Sequence, residues 1–248
     1  MYHFFVAPGQ IKGREVVILG NDVNHIKNVL RMKAGEELSV SNGVDAREYR
    51  CGIVSMEEDR ILCELRFVRE EGVELPAEVY LFQGLPKADK MELVIQKNVE
   101  LGVRGVIPVA AKRCVVKLDE KKAGAKIARW QGIAEAAAKQ SKRAVIPKIG
   151  QVMSLREALA WAKDFEVKLI PYELAGDMGK TRRLIESVAP GQRVAVFIGP
   201  EGGFEESEIQ EAMEAGAQPI TLGKRILRTE TAGFAVMSWL MYHLEEND

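Results

Sequence analysis

Three loops in the second half of the chain carry residue types and spacings suited to binding a ligand. The first is the run Ile198–Phe204, where three glycines and a proline within five positions let the backbone turn sharply and approach a bound molecule closely. It has neither the GK[ST] of a P-loop nor the GxGxxG of a dinucleotide site. The helix that follows opens with the acidic run Glu205–Glu208, which disfavours phosphate at its N-terminus. The loop therefore indicates a ligand without a pyrophosphate, and a purely structural turn is the alternative.

The second loop, Leu222–Ala232, alternates basic and apolar residues and ends in a Thr-Glu-Thr helix start. Its backbone amides and carbonyls could hydrogen-bond the edge of an adenine ring, and its aliphatic side chains could sandwich the ring, as in apolar pockets with few polar groups. Arg228 and Glu230 are ionisable groups beside that pocket and are the candidates for catalysis. Alternatively, Arg228 caps backbone carbonyls or pairs with Glu230.

The third loop begins at Pro171-Tyr172-Glu173, where a phenol and a carboxylate end an apolar run. Either group could hold a ribose hydroxyl or an amino group, and an ordinary strand end is equally compatible. Each of the three loops follows a predicted strand. Because ligands bind outside the carboxyl ends of the strands in open parallel sheets, all three loops could line one pocket.

The chain has two regions with different patterns of apolar residues, and the three loops lie in the second region. Up to about residue 70 the chain has short, partly alternating apolar runs and one helix that starts at Asn21 or Asp22, which predicts a small β-barrel. After Pro76, strands alternate with helices, including a basic helix over about 119–142 and a helix from Ser154 with a capping box at Glu157. This alternation predicts an α/β domain with a mostly parallel sheet and helices on both faces. The polar break 70–76 sets the predicted domains at 1–72 and 73–248.

Composition excludes several classes of protein. The chain has 248 residues and is 47% hydrophobic, which excludes disorder, collagen and coiled coil as the main state. The uncharged run 231–244 is shorter than the roughly 20 residues of a bilayer span, and the N-terminus lacks the basic region of a signal peptide. We therefore expect a cytoplasmic protein with no membrane partner. The three cysteines and three histidines are too scattered to predict a metal site, so the cysteines are interpreted as reduced packing residues.

The charge is unevenly distributed although the net charge is only −1. Residues 110–150 contain eleven Lys or Arg against three acidic residues, a local charge of +8. Such a concentration is typical of a surface that binds a phosphate-rich partner, and a solvated helix face is the alternative.

Two C-terminal motifs resemble those of the RsmE family. They are Phe197-Ile-Gly-Pro-Glu-Gly-Gly-Phe204 and, about twenty residues later, Leu222-Gly-Lys-Arg-Ile-Leu-Arg-Thr-Glu-Thr-Ala232. Further matches are His25-Ile-Lys-Asn-Val-Leu-Arg-Met-Lys33, Gln96-Lys-Asn-Val-Glu-Leu-Gly102 and the stretch from Ala134 to Gln140-Ser141-Lys142-Arg143. Members of this family belong to the SPOUT class and make 3-methyluridine in bacterial small-subunit ribosomal RNA from S-adenosylmethionine.

The resemblance implies a PUA-like RNA-binding barrel followed by a SPOUT α/β domain with a trefoil knot. It also implies the cofactor S-adenosyl-L-methionine, the partner 16S rRNA or the small ribosomal subunit, and a homodimer formed through the methyltransferase domain. For catalysis, Arg228 is our candidate for the cation that stabilises the uracil anion, and Glu230 is our candidate for the base. The cofactor-binding residues are Glu173, Ile198, Gly199, Pro200, Glu201, Gly203, Leu222, Gly223, Ile226, Leu227 and Arg228. The RNA-binding residues are His25, Arg31, Lys33, Arg113, Lys117, Arg129, Lys139, Gln140, Lys142 and Arg143.

Other functions remain open at this point. A related SPOUT enzyme could act on transfer RNA or on a ribose 2′-OH, and an RNA-binding assembly protein could carry a vestigial cofactor pocket. A nucleotide-dependent hydrolase is disfavoured because the chain has no P-loop and no GxSxG. The apolar final helix is either the contact face of the dimer or part of the domain's own core.

Overall fold

The computed structural model describes residues 1–70 and 72–245, which divide into two compact units. The first unit comprises Met1–Glu74 together with Ala138–Ile146, and the second comprises Leu75–Ala137 and the chain from Pro147 onward. Glu71, inside the polar break, and residues 246–248 lie outside the described residues. The sequence analysis did not predict that residues 138–146, which follow much of the second unit in the chain, belong to the first unit.

A six-stranded sheet in the order β1-β4-β5-β6-β3-β2 forms the first unit. Its strands are β1 (His3–Phe5), β2 (Ile11–Lys12), β3 (Glu15–Leu19), β4 (Glu37–Ser41), β5 (Glu48–Met56) and β6 (Arg60–Arg69). The pairing of β5 with β6 shifts register twice, and such bulges bend strands so that the sheet curls around one apolar cluster. The predicted helix is a short α1 (Asn21–Asn24) that continues into a π-turn over His25–Val29.

A parallel sheet in the order β10-β8-β7-β12-β11-β13 forms the second unit, with β9 paired to β8. Its strands are β7 (Glu78–Gly84), β8 (Gly105–Ala110), β9 (Lys148–Ile149), β10 (Met153–Ser154), β11 (Val167–Pro171), β12 (Arg193–Ile198) and β13 (Gln218–Ile220). Every pairing in this sheet is parallel among the described strands, so the predicted sheet type is confirmed. The short edge strands β9 and β10 were not predicted.

Helices cover both faces of this sheet. They are α2 (Lys90–Glu100), α3 (Glu120–Gln140), α4 (Leu155–Trp161), α5 (Met178–Glu186), α6 (Glu206–Glu214) and α7 (Thr229–Glu245). Side chains alternate across a strand, and on β7 the rings of Tyr80 and Phe82 contact Trp161 of α4 while Leu81 lies on the other face beside Gly233 of α7. Phe82 also stacks on Phe197 of β12 at 4.6 Å between ring centroids.

Helix α4 begins as predicted, because Ser154 Oγ accepts the Glu157 N–H while the Glu157 carboxylate accepts the Ser154 N–H at 2.8 Å. Among the described residues, no helix has the length and apolar character needed to cross a bilayer. Within residues 1–70 and 72–245, no cluster of three or more His, Cys, Asp or Glu side chains is arranged to hold a metal ion.

Candidate active site

The glycine loop, Gly199–Phe204, leaves the carboxyl end of β12 and folds back on itself. A Cβ placed on Gly199 would lie 3.0 Å from Gly203 Cα, so the two ends of the loop are in close contact. A Cβ on Gly84, the last residue of β7, would lie only 2.6 Å from the Pro200 nitrogen. Glycine at 84 and 199 is therefore required by the close approach of backbone to backbone.

A buried hydrogen-bond chain joins this loop to the start of α7. Gln83, fully buried at the end of β7, donates from Nε2 to Thr229 Oγ1 at 2.8 Å. The Thr229 hydroxyl in turn donates to the Gly199 carbonyl at 2.6 Å. The first two predicted loops therefore meet at one place, as expected from their positions after parallel strands. The sequence analysis missed Gln83, although a glutamine near the end of an apolar strand was a usable signal.

An acidic pair, Glu201 and Glu230, shares one lysine. Lys90 Nζ lies 3.0 Å from Glu201 Oε1 and 3.4 Å from Glu230 Oε2. Glu201 Oε1 also accepts the Lys87 backbone N–H at 3.0 Å. The Glu230 side chain is 15% exposed, and its Oε2 makes the ion pair without a hydrogen bond. The partner of Glu230 is thus Lys90, which was not predicted as a site residue, rather than Arg228.

The hydrogen bonds and ion pairs of Glu201 and Lys90 determine the protonation states of these two residues. Burial raises the pKa of the Glu201 carboxyl, but the Lys87 backbone N–H and the Lys90 ammonium outweigh burial and hold that pKa below its usual value. The hydrogen bond to Glu201 and the charges of both carboxylates raise the pKa of Lys90. Glu201 is therefore an anion at neutral pH and acts as a hydrogen-bond acceptor.

In the structure, the second loop is the segment 221–228 between β13 and α7, and the rest of the predicted loop forms the first turn of α7. This segment is hydrogen-bonded at its start and exposed towards its end. The Thr221 N–H donates to the buried Thr181 Oγ1 of α5 at 3.0 Å. Gly223 has φ +100°, and a Cβ there would meet no atom within 4 Å, while its N–H donates to Thr221 Oγ1 at 3.3 Å. Ile226 is 89% exposed, so its aliphatic side chain is free to pack against a ligand. Arg228 is exposed, and its carbonyl accepts the N–H groups of Thr231 and Ala232 in the first turn of α7, both at 2.9 Å.

The third loop lies at the same edge of the sheet. Tyr172 donates its N–H to the Ile220 carbonyl at 2.9 Å, which sets this loop beside β13. Glu173 opens an exposed 3₁₀ turn over Glu173–Ala175. Within the described part of the chain, no hydrogen bond or ion pair ties its carboxylate to the other two loops, so the structure does not bring Glu173 into the network around Gly199.

The residues predicted to bind RNA are mostly exposed. In the first unit these are His25, Arg31, Lys33, Gln140 and Lys142, with Lys139 half-buried; in the second they are Arg113, Lys117 and Arg129. Arg31 and Lys142 have φ angles of 53° and 60°, a left-handed conformation that is rare outside glycine. Such backbone strain concentrates at functional positions.

Arg143 does not fit its predicted role. Its side chain is 3% exposed and its guanidinium is bound by the Glu74 carboxylate, with Nε 3.1 Å from Oε2. The same carboxylate accepts the N–H groups of Ala144 and Val145 at 3.0 and 3.2 Å. A buried cation neutralised in this way is unavailable to a phosphate, so the prediction of an RNA contact at Arg143 is corrected to a structural role.

Comparison with known proteins agrees with this architecture. Residues 73–241 match the model of an RNA methyltransferase domain, and residues 18–66 match that of an RNA methyltransferase PUA domain. Ribosomal RNA small subunit methyltransferase E of Bacillus subtilis is 38% identical over 92% of this chain and 90% of its own length. The Mesomycoplasma hyopneumoniae protein of the same name is 35% identical over 96% of this chain and 98% of its own.

A solved structure gives the same result. Ribosomal RNA small subunit methyltransferase E from Neisseria gonorrhoeae, crystallised with S-adenosyl methionine, superposes with a TM-score of 0.82 at 33% identity. The superposition covers 98% of this chain and 97% of the other. The resemblance seen in the C-terminal motifs therefore extends over the whole chain, which belongs to the family of ribosomal RNA small subunit methyltransferases E, the RsmE family.

Proposed function

We propose that this protein transfers a methyl group from S-adenosylmethionine to N3 of a uridine in 16S ribosomal RNA. The observation that carries the proposal is the buried chain Gln83–Thr229–Gly199, which joins the glycine loop to the loop that ends in Arg228. This junction brings the glycine-rich loop and the two catalytic candidates, Arg228 and Glu230, to one edge of the sheet. We further propose that the strands and loops of this domain form the trefoil knot expected of the SPOUT class.

The residues present fit the cofactor. Gly203 and Gly223 have positive φ angles, and the space where a Cβ would stand is open at both, so a ligand can approach the backbone there closely. The exposed Ile226 and the half-buried Leu222 and Leu227 offer aliphatic surface for the adenine ring. The proposed cofactor residues remain Glu173, Ile198, Gly199, Pro200, Glu201, Gly203, Leu222, Gly223, Ile226, Leu227 and Arg228. The Neisseria relative was solved with this cofactor.

When bound, S-adenosylmethionine supplies a methyl group on a positively charged sulfur, which is already a strong electrophile. The task of the protein is therefore to position the acceptor nitrogen in line and to manage its proton. Uracil N3 lies on the Watson–Crick edge, so the base must be unpaired and turned out of its stack. As the N3–H proton leaves, Arg228 stabilises the negative charge on the uracil, and Glu230 is the candidate acceptor of the proton.

Replacement of Arg228 by alanine is expected to lower kcat on the order of 100-fold while changing the affinity for S-adenosylmethionine much less, because one donor to a developing anion is removed. Single-turnover methylation and titration calorimetry measure the two effects. Arg225→Ala removes an exposed arginine of the same loop and serves as the matched control. Full turnover in Arg228→Ala would remove this residue from catalysis.

The exposed basic residues of both units form the proposed contacts with ribosomal RNA phosphates. They are His25, Arg31, Lys33, Arg113, Lys117, Arg129 and Lys142, together with the half-buried Lys139 and with Gln140 as a neutral hydrogen-bonding partner. Because binding releases counterions, RNA affinity should fall on the order of 1,000-fold between about 50 and 200 mM salt. Fluorescence anisotropy with a labelled fragment of the RNA measures the slope, and a flat salt response would contradict a phosphate contact.

We also propose a homodimer formed through the second unit. Val236, Met237 and Leu240 of α7 are fully buried within the described chain, so these three side chains belong to the core of the unit itself. The remaining contact surface consists of half-buried Trp239 and 67% exposed Tyr242 beside α5. Analytical ultracentrifugation tests the oligomeric state.

The decisive experiment maps the methylated nucleotide by mass spectrometry of small-subunit RNA incubated with and without the protein. We expect one uridine to gain 14 Da on its base, since a methyl group replaces a proton. A methyl group on a ribose, or methylation only of transfer RNA, would identify a different enzyme of the class. Binding of RNA without calorimetric heat from S-adenosylmethionine would instead favour an assembly protein.

A further inference from the structure

A cavity of about 350 Å³ lies at the carboxyl end of β8, beside β7, whose Gln83 bonds Thr229 at the start of α7. It is enclosed by the ends of β7 and β8, the segment that follows β8 and the residue before β10. Its lining residues are Leu85, Ala110, Ala111, Lys112, Cys114, Val116, Lys117, Leu118 and Val152. None of them belongs to the proposed cofactor site, so the cavity is a separate feature of the same sheet edge.

The chemistry of the cavity is divided between its floor and its rim. Leu85, Ala111 and Cys114 are buried and form an apolar floor. Burial raises the pKa of the Cys114 thiol, so the floor carries no charge at neutral pH. Lys112 and Lys117 are exposed and place two cations at the rim. An apolar slot with a cationic rim suits a flat heterocyclic ring whose attached phosphates remain in water.

The cavity is rigidly coupled to the glycine loop. The Lys112 N–H donates to the Glu208 carboxylate at 2.9 Å, and the same carboxylate accepts the Glu205 N–H at 2.9 Å where α6 begins. Glu208 is 3% exposed, so this link is shielded from water. Arg113 donates to the Gly202 carbonyl at 3.0 Å, a second tie between the two loops.

This coupling sets the position of anything bound in the cavity. The segment that lines the cavity is tied to α6 through Lys112 and Glu208 and to the glycine loop through Arg113 and Gly202, so an occupant has a defined position relative to that loop. Pre-organised placement of two reactants against each other is what a transfer reaction requires of the protein.

We propose that this cavity is the subsite for the target nucleotide of the RNA, with the pyrimidine ring against Leu85 and Cys114 and its flanking phosphates near Lys112 and Lys117. The inference rests on the proposed methyl transfer to RNA. The volume is near the lower end of the roughly 300–1,000 Å³ range of small-molecule pockets, which favours a single pyrimidine nucleotide over a larger ligand.

Filling the cavity tests the proposal. Ala110 is exposed at the end of β8 and lines the cavity, so Ala110→Phe occupies the space without disturbing the core. We expect kcat/KM for RNA to fall about 100-fold, with S-adenosylmethionine affinity unchanged in calorimetry. Val152→Phe, at another lining position, should have the same effect. Ala160→Phe makes the same change on an exposed position of α4 outside the cavity and should methylate RNA normally.

Wild-type-like methylation by both Ala110→Phe and Val152→Phe would overturn the proposal. The wild-type protein is assayed first, because a lack of RNA methylation there would refute the proposed function and not the subsite. A second measurement needs no variant: RNA carrying 4-thiouridine at the target position is irradiated with the wild-type protein. The adduct is expected within residues 110–118 or at Leu85, and an adduct confined to other peptides would place the base elsewhere.

Discussion

Alanine in place of Gly84 is expected to lower turnover by about 100-fold, although residue 84 carries no reactive group. The added Cβ would lie 2.6 Å from the Pro200 nitrogen and 2.9 Å from the Gly199 carbonyl carbon. Both are backbone atoms, so the glycine loop itself must shift. Overpacking of this kind also costs stability, about 1–3 kcal/mol. S-adenosylmethionine affinity, by calorimetry, should weaken together with turnover.

The matched control is the same substitution where space is open. Gly132 lies within α3, and a Cβ there meets nothing within 4 Å. Gly132→Ala should therefore raise the free energy of unfolding by about 1 kcal/mol, because alanine is the better helix former. Urea denaturation measures both effects: Gly84→Ala should lower the free energy of unfolding, and Gly132→Ala should raise it. If Gly84→Ala bound the cofactor and turned over like the wild type, the loop would not depend on this close approach.

Arg143→Met is expected to destabilise the first unit by about 3–5 kcal/mol, because it leaves the Glu74 carboxylate buried without its cation. Glu74 is 13% exposed and also accepts two backbone N–H groups, so it cannot move to water without breaking them. Lys142→Met changes the neighbouring, exposed residue and should alter stability by no more than about 0.5 kcal/mol.

Urea denaturation measured by circular dichroism tests the difference between these variants. RNA affinity at moderate salt should rank the two variants the other way round. Lys142→Met loses one phosphate contact and binds RNA more weakly, whereas folded Arg143→Met keeps its phosphate contacts. Unchanged stability in Arg143→Met, combined with weaker RNA binding, would restore Arg143 to the RNA surface and contradict its structural role.

The sequence was informative wherever periodicity and spacing carried the signal. The apolar runs around 78–84, 105–110 and 193–198 are strands, and their parallel pairing follows from the alternation with helices. The convergence of two motif loops followed from the same rule about strand ends. The Ser154–Glu157 capping box was readable because it depends on only four consecutive residues.

Contacts between residues that are far apart along the chain could not be predicted from the sequence. Lys90 meets Glu201 across 111 positions, and Gln83 meets Thr229 across 146 positions. Nothing in local pattern distinguishes Arg143, which is buried, from the exposed Lys142 beside it, since both belong to one basic run. Only the partner at Glu74, 69 positions earlier, decides which of the two faces water.

The placement of Glu74 also bears on how the chain folds while it is being made. Residues 1–74 leave the ribosome first, but the groups that satisfy Glu74 arrive only with residues 143–145. At roughly 5–20 residues per second, this interval is about 4–14 s of translation. During that time the Glu74 carboxylate lacks its partners from residues 143–145. The first unit can therefore be completed only after α3 has been synthesised.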